Sequence, residues 1–349
     1  MDEDFRAQLD HDKQSDLVKL YRQLNLSYRS GTRFNGAIIK PILAWRRRRL
    51  ANQVNGLVKE CIKRKFDEER DQFTEKGAKK SRSVLALSLQ GIDELTPQIL
   101  DQTCDQLKTF LFAGHDTTSI LLQWAFYELS RTPRALKAIR QELDEIFGPD
   151  PSPSVVRDSL LSSHGDQIQR LSYVSAVIKE TLRLYPPAGT ARYQTPGTGY
   201  NVQLPDGNSL CLDGVVMYNC ATVIQRDEAV YGPSANEFVP ERWLGDTDTS
   251  MQTNTDEKSS GGKIPASAWR PFERGPRNCI GQELANLEAR VILACTVRRY
   301  DFTKVGLGEV ALDEDGKPIE NDQGQYKVKS ENYNVGYPSI NLHRGDSSS

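Results

Sequence analysis

Two polar stretches near the start of the chain carry apolar residues at helical spacing. They run from Leu17 to Leu24 and from Val54 to Ile62, with apolar residues three or four positions apart. This spacing places the apolar residues on one face of a helix and the polar residues on the other. We therefore predict amphipathic helices within the first eighty residues.

A longer helical pattern follows. It begins at Thr96 and Pro97 and continues to Ser130, just before Thr132 and Pro133. Threonine is a good N-cap, proline is favoured at the first helical position, and a later proline restricts the residue before it. At 1.5 Å per residue the predicted helix is roughly 50 Å long, which is enough to cross a whole domain.

Shorter elements are predicted after this helix. Ser172 is the expected N-cap of a helix over 173–184, and runs bounded by turn residues predict strands at 200–204, 209–212 and 215–219. Residues 313–316 are expected to form the turn of a hairpin, and 345–349 to be a disordered tail. The chain is thus predicted to be mainly α, an α+β protein with a long central helix and small β-sheets.

Composition narrows the class of function. The chain of 349 residues has a net charge of −2, so no overall basic field favours binding to nucleic acid. Its six cysteines include no Cys-x-x-Cys pair and are typical of reduced thiols in a chain of this length. The sequence contains no secretory signal and no apolar run of the roughly eighteen residues that a membrane span needs.

One basic run permits three interpretations. Residues 46–49 are all arginine, and they follow an apolar stretch that ends at Trp45. The run is a solvated helix face, a nuclear-localisation or nucleic-acid patch, or a segment that lies at a membrane surface. Apolar residues that end in tryptophan and arginines are typical of the third class, so 37–49 is a candidate for peripheral membrane contact.

The candidate chemistry centres on Cys279. It lies in the segment 272–281, Phe-Glu-Arg-Gly-Pro-Arg-Asn-Cys-Ile-Gly, and a helical pattern begins immediately afterwards. The segment predicts a tight turn at a helix N-terminus, where unpaired amides and the helix dipole favour a thiolate. Gly275 and Gly281 leave room for a large flat ligand, and Arg277 offers a fork for a carboxylate. Haem with an axial thiolate fits this set, and a buried structural cysteine is the alternative.

Two segments upstream carry polar residues that call for an explanation. Within the long helix, Asp116 and Thr117 follow Gly114 in an otherwise apolar stretch. Small and hydroxyl-bearing residues are typical of a local widening that makes room for a ligand, and a packing kink is the alternative. Glu180 and Arg183 are three positions apart and share a face of the next predicted helix.

Together these motifs resemble those of the cytochrome P450 monooxygenases. The loop matches the family's haem-ligand loop at Phe272, Gly275, Arg277, Cys279 and Gly281. The family's acid–threonine pair and its Glu-x-x-Arg motif occur upstream in the same order. The resemblance covers 95–349 well and the preceding residues loosely. The amino-acid sequence of the loop is similar to that of filamentous-fungal members that serve secondary metabolism.

The resemblance implies a role for each motif. Cys279 would be the axial ligand of the iron of haem b, and Asp116 and Thr117 would relay protons to oxygen. The other implied contacts with haem are those of Phe272, Gly275 and Gly281 and of the propionate partners Arg277 and Arg192. A buried charge network that serves folding and haem retention would consist of Glu180, Arg183 and Arg242.

The resemblance also implies partners and a location. Electrons would come from NADPH through a separate NADPH-cytochrome P450 reductase, because the chain carries no nicotinamide or flavin fingerprint. The substrates would be O2 and a small organic molecule. The expected location is the cytosolic face of the endoplasmic reticulum membrane, and the alternative, given no anchor, is peripheral or cytoplasmic.

We expect 1–349 to form one incomplete domain that lacks roughly the first third of the family's usual length. Residues 1–94 would be substrate-entrance helices, and 95–349 would carry the oxygen-binding helix, the haem-ligand loop and the C-terminal strands. Two alternatives to a monooxygenase stay open. One is a catalytically inactive remnant, and the other is a haem-thiolate isomerase or dehydratase that does not use oxygen.

Overall fold

A computed structural model describes residues 15–30, 39–72, 83–162, 165–245, 264–332, 334–335 and 341–342. The tail expected to be disordered at 345–349 lies outside these ranges, as do the first two residues of the segment 37–49. The described chain is mostly helical with small antiparallel sheets, so the predicted fold class is confirmed.

Helices account for most of the described residues. In chain order they are α1 (Asp16–Ser30), α2 (Ile39–Gln72), α3 (Val84–Leu89), α4 (Pro97–Arg131), α5 (Pro133–Phe147), α6 (Pro153–Ser162), α7 (Asp166–Gln169), α8 (Ser172–Leu184), α9 (Ala221–Ile224), α10 (Glu228–Tyr231) and α11 (Gln282–Thr296). Short 3-10 helices span Pro240–Trp243 and Ala266–Ala268. Among the helices described here, none is both long and apolar enough to cross a membrane.

The strands are short and pair antiparallel in twos. They are β1 (Thr190–Tyr193), β2 (Asn201–Gln203), β3 (Ser209–Cys211), β4 (Val216–Asn219), β5 (Asn334–Val335) and β6 (Asn341–Leu342). β1 pairs with β4, β2 with β3 and β5 with β6, so the three strands predicted between 200 and 219 are confirmed. In the β1–β4 pair, Thr190 lies opposite Asn219 and Arg192 lies opposite Met217.

The hairpin predicted around 313–316 forms only in part. Its turn closes, because Asp313 N–H donates to the Lys317 carbonyl at 2.8 Å and Gly316 has a φ of +77°. The flanking residues make isolated bridges, such as Leu312 with Pro318, where strands were expected. A second reversal follows at once, since Gly324 N–H donates to the Asn321 carbonyl at 3.0 Å, and this leaves no length for a regular ladder.

The chain divides into two compact units, Met1–His115 and Asp116–Ser349. In the first unit the apolar faces predicted for the early helices form one core. Its buried members are Leu17, Val54, Val58, Ile62, Leu85, Leu89, Cys104 and Leu107. Lys108 Nζ also donates to Asn55 Oδ1 at 2.7 Å, which joins the first part of α4 to α2.

The second unit has a larger core that six helices share. Its buried residues come from the second half of α4 and from α5, α6, α7, α8 and α11, and include Leu121, Ala125, Leu129, Ile139, Leu143, Val156, Ile168, Val174, Val177, Ile178, Leu182, Ala289, Leu293 and Ala294. Trp269 and Phe272 pack against this core. The segment that leads to Cys279 is therefore anchored on this core.

The N-caps predicted for α4 and α8 have different outcomes in the structure. α4 begins at Pro97, and the Thr96 hydroxyl accepts the Ile99 N–H at 3.3 Å, as predicted. The cap predicted for α8 is wrong, because Ser172 is its first helical residue and the preceding residue makes no side-chain cap. The carboxylate of Glu142 in α5 accepts the N–H groups of Tyr173 and Val174 at 2.5 and 2.9 Å instead. A carboxylate from another helix thus meets the positive end of the dipole.

Candidate functional site

Cys279 lies at the end of a closed backbone loop. Its N–H donates to the Phe272 carbonyl at 2.8 Å, and the Asn278 N–H donates to the Gly275 carbonyl at 3.0 Å. Gly275 has a φ of +80°, a left-handed conformation that glycine adopts without strain. Gly281 is the N-cap of α11, which begins at Gln282. The sequence reading of a tight turn that enters a helix therefore agrees with the structure.

The thiol of Cys279 is accessible from outside the chain. Cys279 and Arg277 are exposed, and the side chain of Ile280 is 88% exposed. A Cβ atom added at Gly281 would lie 3.8 Å from Cys279 Sγ, an ordinary van der Waals contact, so Gly281 lies directly beside the sulfur. The surface around the sulfur is thus open and in part apolar.

The start of the loop is held by a buried glutamine. Arg270 N–H donates to Gln225 Oε1 at 2.6 Å, and Gln225 Nε2 donates to the carbonyls of Leu182 and Arg183 at 3.2 and 2.9 Å. Gln225 is fully buried. The side chain of one residue therefore joins the loop to the end of α8, a contact that the sequence did not indicate.

Directly after Phe272, the loop is held by Glu273. Its Oε1 accepts a hydrogen bond from Asn219 Nδ2 at 2.7 Å and another from the Thr190 hydroxyl. Burial acts to raise the pKa of Glu273, but these bonds and the charges of Arg192 and Arg270 outweigh it, so the pKa lies below its ordinary value. Sequence reasoning missed this contact, since no local signal relates Glu273 to two strands far away in the chain.

Arg192 lies in β1, on the sheet that Glu273 contacts. It is exposed, and its Nη1 donates to the Ala191 carbonyl at 3.0 Å. Within the described ranges, neither Arg192 nor Arg277 forms an ion pair with a carboxylate. Both guanidinium groups are therefore available to an external anion.

Glu180, Arg183 and Arg242 are in direct contact, as the resemblance implied. The two oxygens of Glu180 accept hydrogen bonds from Arg183 Nε and Nη2, both at 2.8 Å, and from Arg242 Nε at 3.0 Å. Trp243 Nε1 and the Val239 N–H also donate to Glu180, each at 2.9 Å. Glu180 and Arg183 are fully buried and Arg242 is half-buried, so the centre of this charge network has no access to solvent.

Asp116 and Thr117 lie in the middle of α4 and are both half-buried. The α-helix continues through them without interruption, and the Ser119 hydroxyl donates to the Asp116 carbonyl at 2.8 Å. The widening that the sequence suggested therefore does not break the helix. The pair belongs to the same compact unit as Cys279, and residues of both α4 and α11, such as Leu121 and Leu293, belong to its core.

The donor set around Cys279 fits haem. In the described part of the chain, no group of three or more His, Cys, Asp and Glu residues could hold a metal ion directly. One accessible thiol would suit an iron that brings its other ligands with it, and two arginines that form no ion pair among the described residues would suit propionates. The exposed Ile280 suits an apolar ring. Cys279, Arg277 and Arg192 are accordingly the residues that would hold this cofactor.

Comparison with known proteins places the chain in a family. The family model of cytochrome P450 matches residues 4–329. The cytochrome P450 monooxygenase acrF of Aspergillus aculeatus is 31% identical over 300 residues, which cover 83% of this chain and 58% of that protein. The cytokinin hydroxylase of Arabidopsis thaliana is 36% identical over 201 residues, covering 57% of this chain and 33% of that protein.

A self-sufficient cytochrome P450 monooxygenase of Penicillium camemberti is 35% identical over 223 residues, which cover 63% of this chain and 18% of that protein. The chain thus spans less than two thirds of the length of each of these relatives. The family match extends over most of the chain and includes the Cys279 loop, the Glu180 network and the Asp116–Thr117 pair. The chain belongs to the cytochrome P450 family.

Proposed function

We propose that the protein is a haem-thiolate monooxygenase that inserts one atom of O2 into a small organic substrate. The observation that carries the proposal is the accessible thiol of Cys279, which backbone hydrogen bonds hold at the N-terminal side of α11. When bound, haem supplies the electron transfer and the activation of oxygen. Residues of the chain bind the cofactor and deliver protons.

Cys279 would hold the haem iron through its thiolate in this proposal. The Phe272 carbonyl engages the Cys279 N–H, and the packing of Phe272 on the core fixes the loop, so the sulfur needs little reorganisation to bind a metal. Gly275 supplies the left-handed turn of this loop. Arg277 and Arg192 would bind the propionates of the cofactor.

Asp116 and Thr117 serve in proton delivery. Both are half-buried on one turn of α4, where a carboxyl and a hydroxyl can pass a proton between solvent and the oxygen substrate through water. The half-burial of Asp116 and Thr117 matters for two reasons. A fully exposed pair would exchange its protons with bulk water instead of directing them to the oxygen substrate, and a fully buried pair could not take up protons from solvent. We assign Asp116 the uptake of the proton and Thr117 its transfer.

The variant Thr117→Ala tests this role. It should retain haem but form at least roughly tenfold less product per NADPH consumed, with the electrons recovered as peroxide. Thr109→Ala is the matched control, because Thr109 is an exposed threonine on the same helix whose hydroxyl donates to the Asp105 carbonyl at 2.9 Å. Unchanged coupling in Thr117→Ala would refute the proton-delivery role.

We further propose that electrons arrive from NADPH through a separate NADPH-cytochrome P450 reductase. The basis is that the chain belongs to the cytochrome P450 family, whose members need electrons from a redox partner. Product formation by the purified chain should then depend on added reductase. Turnover with NADPH alone would contradict this part of the proposal.

The proposed setting is fungal secondary metabolism at the cytosolic face of the endoplasmic reticulum membrane, with the basic start of α2 in peripheral contact. There Trp45 is 63% exposed and Ile42 is 61% exposed, next to the arginines of 46–49. Arg49 lies over the Trp45 ring with its Cζ atom 5.7 Å from the centroid. An exposed aromatic residue beside cations is typical of a segment that rests on anionic headgroups.

A further inference from the structure

We propose that Glu273 is a positioning residue, whose carboxylate latches the Cys279 loop onto the β1–β4 sheet. The latch sets where the thiol of Cys279 stands relative to Arg192. The latch itself is a feature of the chain alone. Its consequence for haem rests on the proposed function.

The backbone of Glu273 is the first observation. Its φ is +60°, and among the described residues it is the only one other than glycine with a positive φ. Side chains with a Cβ avoid this region, which glycine adopts freely, and such strain persists only where the surroundings over-determine it. A glycine would satisfy the turn without strain, so the side chain of Glu273 must supply something that glycine cannot.

The contacts of the carboxylate are the second observation. Thr190 and Asn219 both donate to Glu273 Oε1, and they lie directly opposite each other in β1 and β4. Glu273 Oε1 therefore accepts hydrogen bonds from both β1 and β4 at the same register position. Hydrogen bonds to an ionised carboxylate are stronger than neutral ones, and the lowered pKa of Glu273 indicates the ionised form.

The path from the latch to the sulfur is short. Phe272, the residue before Glu273, provides the carbonyl that accepts the Cys279 N–H, and the Glu273 N–H donates to the Arg270 carbonyl at 3.2 Å. A rotation of the backbone at Glu273 would therefore tilt the Phe272 carbonyl and move the Cys279 amide. On the other side of the latch, Arg192 follows Thr190 by two residues on the same strand.

In the described part of the chain, Glu273 does not tie up Arg192 in an ion pair, so Arg192 remains available to bind an external carboxylate. The two groups interact electrostatically but form no ion pair in the described structure. The carboxylate is already occupied by Thr190 and Asn219. Arg192 can therefore turn its guanidinium toward an external carboxylate while the sheet beneath it stays fixed to the loop.

Three variants test whether the Glu273 carboxylate positions the Cys279 loop or only contributes to the stability of the fold. Glu273→Gly removes the carboxylate and relieves the backbone strain. Thr190→Val removes one donor while conserving shape, and it keeps the test decisive should Glu273→Gly fail to fold. Glu273→Gln is the conservative rescue, because its Oε1 can still accept both hydrogen bonds. Glu288→Gln, at an exposed position of α11, is the control for loss of a charge.

The first readout is hydrogen exchange of the Asn278 and Cys279 amides in the full chain as purified, with or without haem. Glu273→Gly should exchange at least about tenfold faster than wild type, and Thr190→Val about threefold faster. Glu288→Gln should stay within about twofold of wild type, and Glu273→Gln should lie between wild type and Glu273→Gly, because it keeps both hydrogen bonds without the charge. Wild-type exchange in both Glu273→Gly and Thr190→Val would overturn the latch.

The second readout is the fraction of haem that gives the thiolate-type Soret band in the reduced, CO-bound protein. That fraction should fall in Glu273→Gly and recover in Glu273→Gln. A wild-type fraction in Glu273→Gly would overturn the positioning of Cys279. If wild type itself gave no thiolate-type band while the exchange pattern held, the proposed function would fail and the latch would stand.

Discussion

Replacing Glu180 with alanine should lower the free energy of unfolding of the second compact unit by about 3 kcal/mol. Glu180 is fully buried and accepts hydrogen bonds from Arg183, Arg242, Trp243 and the Val239 N–H. Removal of one partner of a buried ion pair is expected to cost about 3–5 kcal/mol, because the other charge stays buried.

The lower end of that range applies for a structural reason. The Arg183 guanidinium keeps the carbonyl oxygens of Gln225, Ala235 and Glu237 as acceptors after the carboxylate is gone. Its charge is therefore partly solvated by dipoles of the protein. The donors on Trp243 and Val239, in contrast, lose their acceptor.

Urea unfolding of the full chain, followed by tryptophan fluorescence, measures the loss. Glu180→Gln keeps the shape and should fall between wild type and Glu180→Ala. Asp158→Ala is the control, since Asp158 forms an exposed pair with Arg157 and should cause no measurable change. A loss below about 1 kcal/mol in Glu180→Ala, with an unchanged denaturant slope, would refute the reasoning.

Two further predictions concern pH and membranes. Burial raises the pKa of Glu128, whose Oε1 accepts a hydrogen bond from the Tyr185 hydroxyl at 2.6 Å. The contribution of Glu128 to stability is therefore present below the ordinary pKa of a glutamate, and it is lost as pH rises through the raised pKa of Glu128. Glu128→Gln should therefore gain stability relative to wild type as pH rises from acid to neutral, and urea unfolding that shows a pH-independent difference would contradict this. The double variant Arg48→Gln, Arg49→Gln should bind phosphatidylserine vesicles roughly tenfold more weakly than wild type in sedimentation assays, with neutral vesicles as control. Equal binding to the anionic vesicles would remove the basis for peripheral contact.

Elements with local signals were predictable from the sequence. The long helix was predicted over 97–130 and spans Pro97–Arg131, because its cap, its first proline and the proline after it all lie next to its ends. The cap of α8 was not predictable. It comes from Glu142, about thirty residues earlier, and only the packing of α5 against α8 brings that carboxylate to the helix start.

The candidate site divides in the same way. The loop around Cys279 is contiguous in sequence, so its turn and its place before α11 could be predicted. The contacts of Glu273 with Thr190 and Asn219 could not, because they depend on the register of two strands and on how the loop docks against them. Gln225 is a similar case, since nothing local distinguishes a buried amide that joins two segments from an ordinary polar residue.

The spectrum of the reduced, CO-bound protein tests most directly whether Cys279 is the axial ligand of haem. Wild type saturated with added haem should give the thiolate-type Soret band, and Cys279→Ser should lose it. Cys220→Ser, which alters another exposed thiol of the same compact unit, should keep the band. A thiolate-type band that survives in Cys279→Ser would contradict the assignment and the function proposed from it.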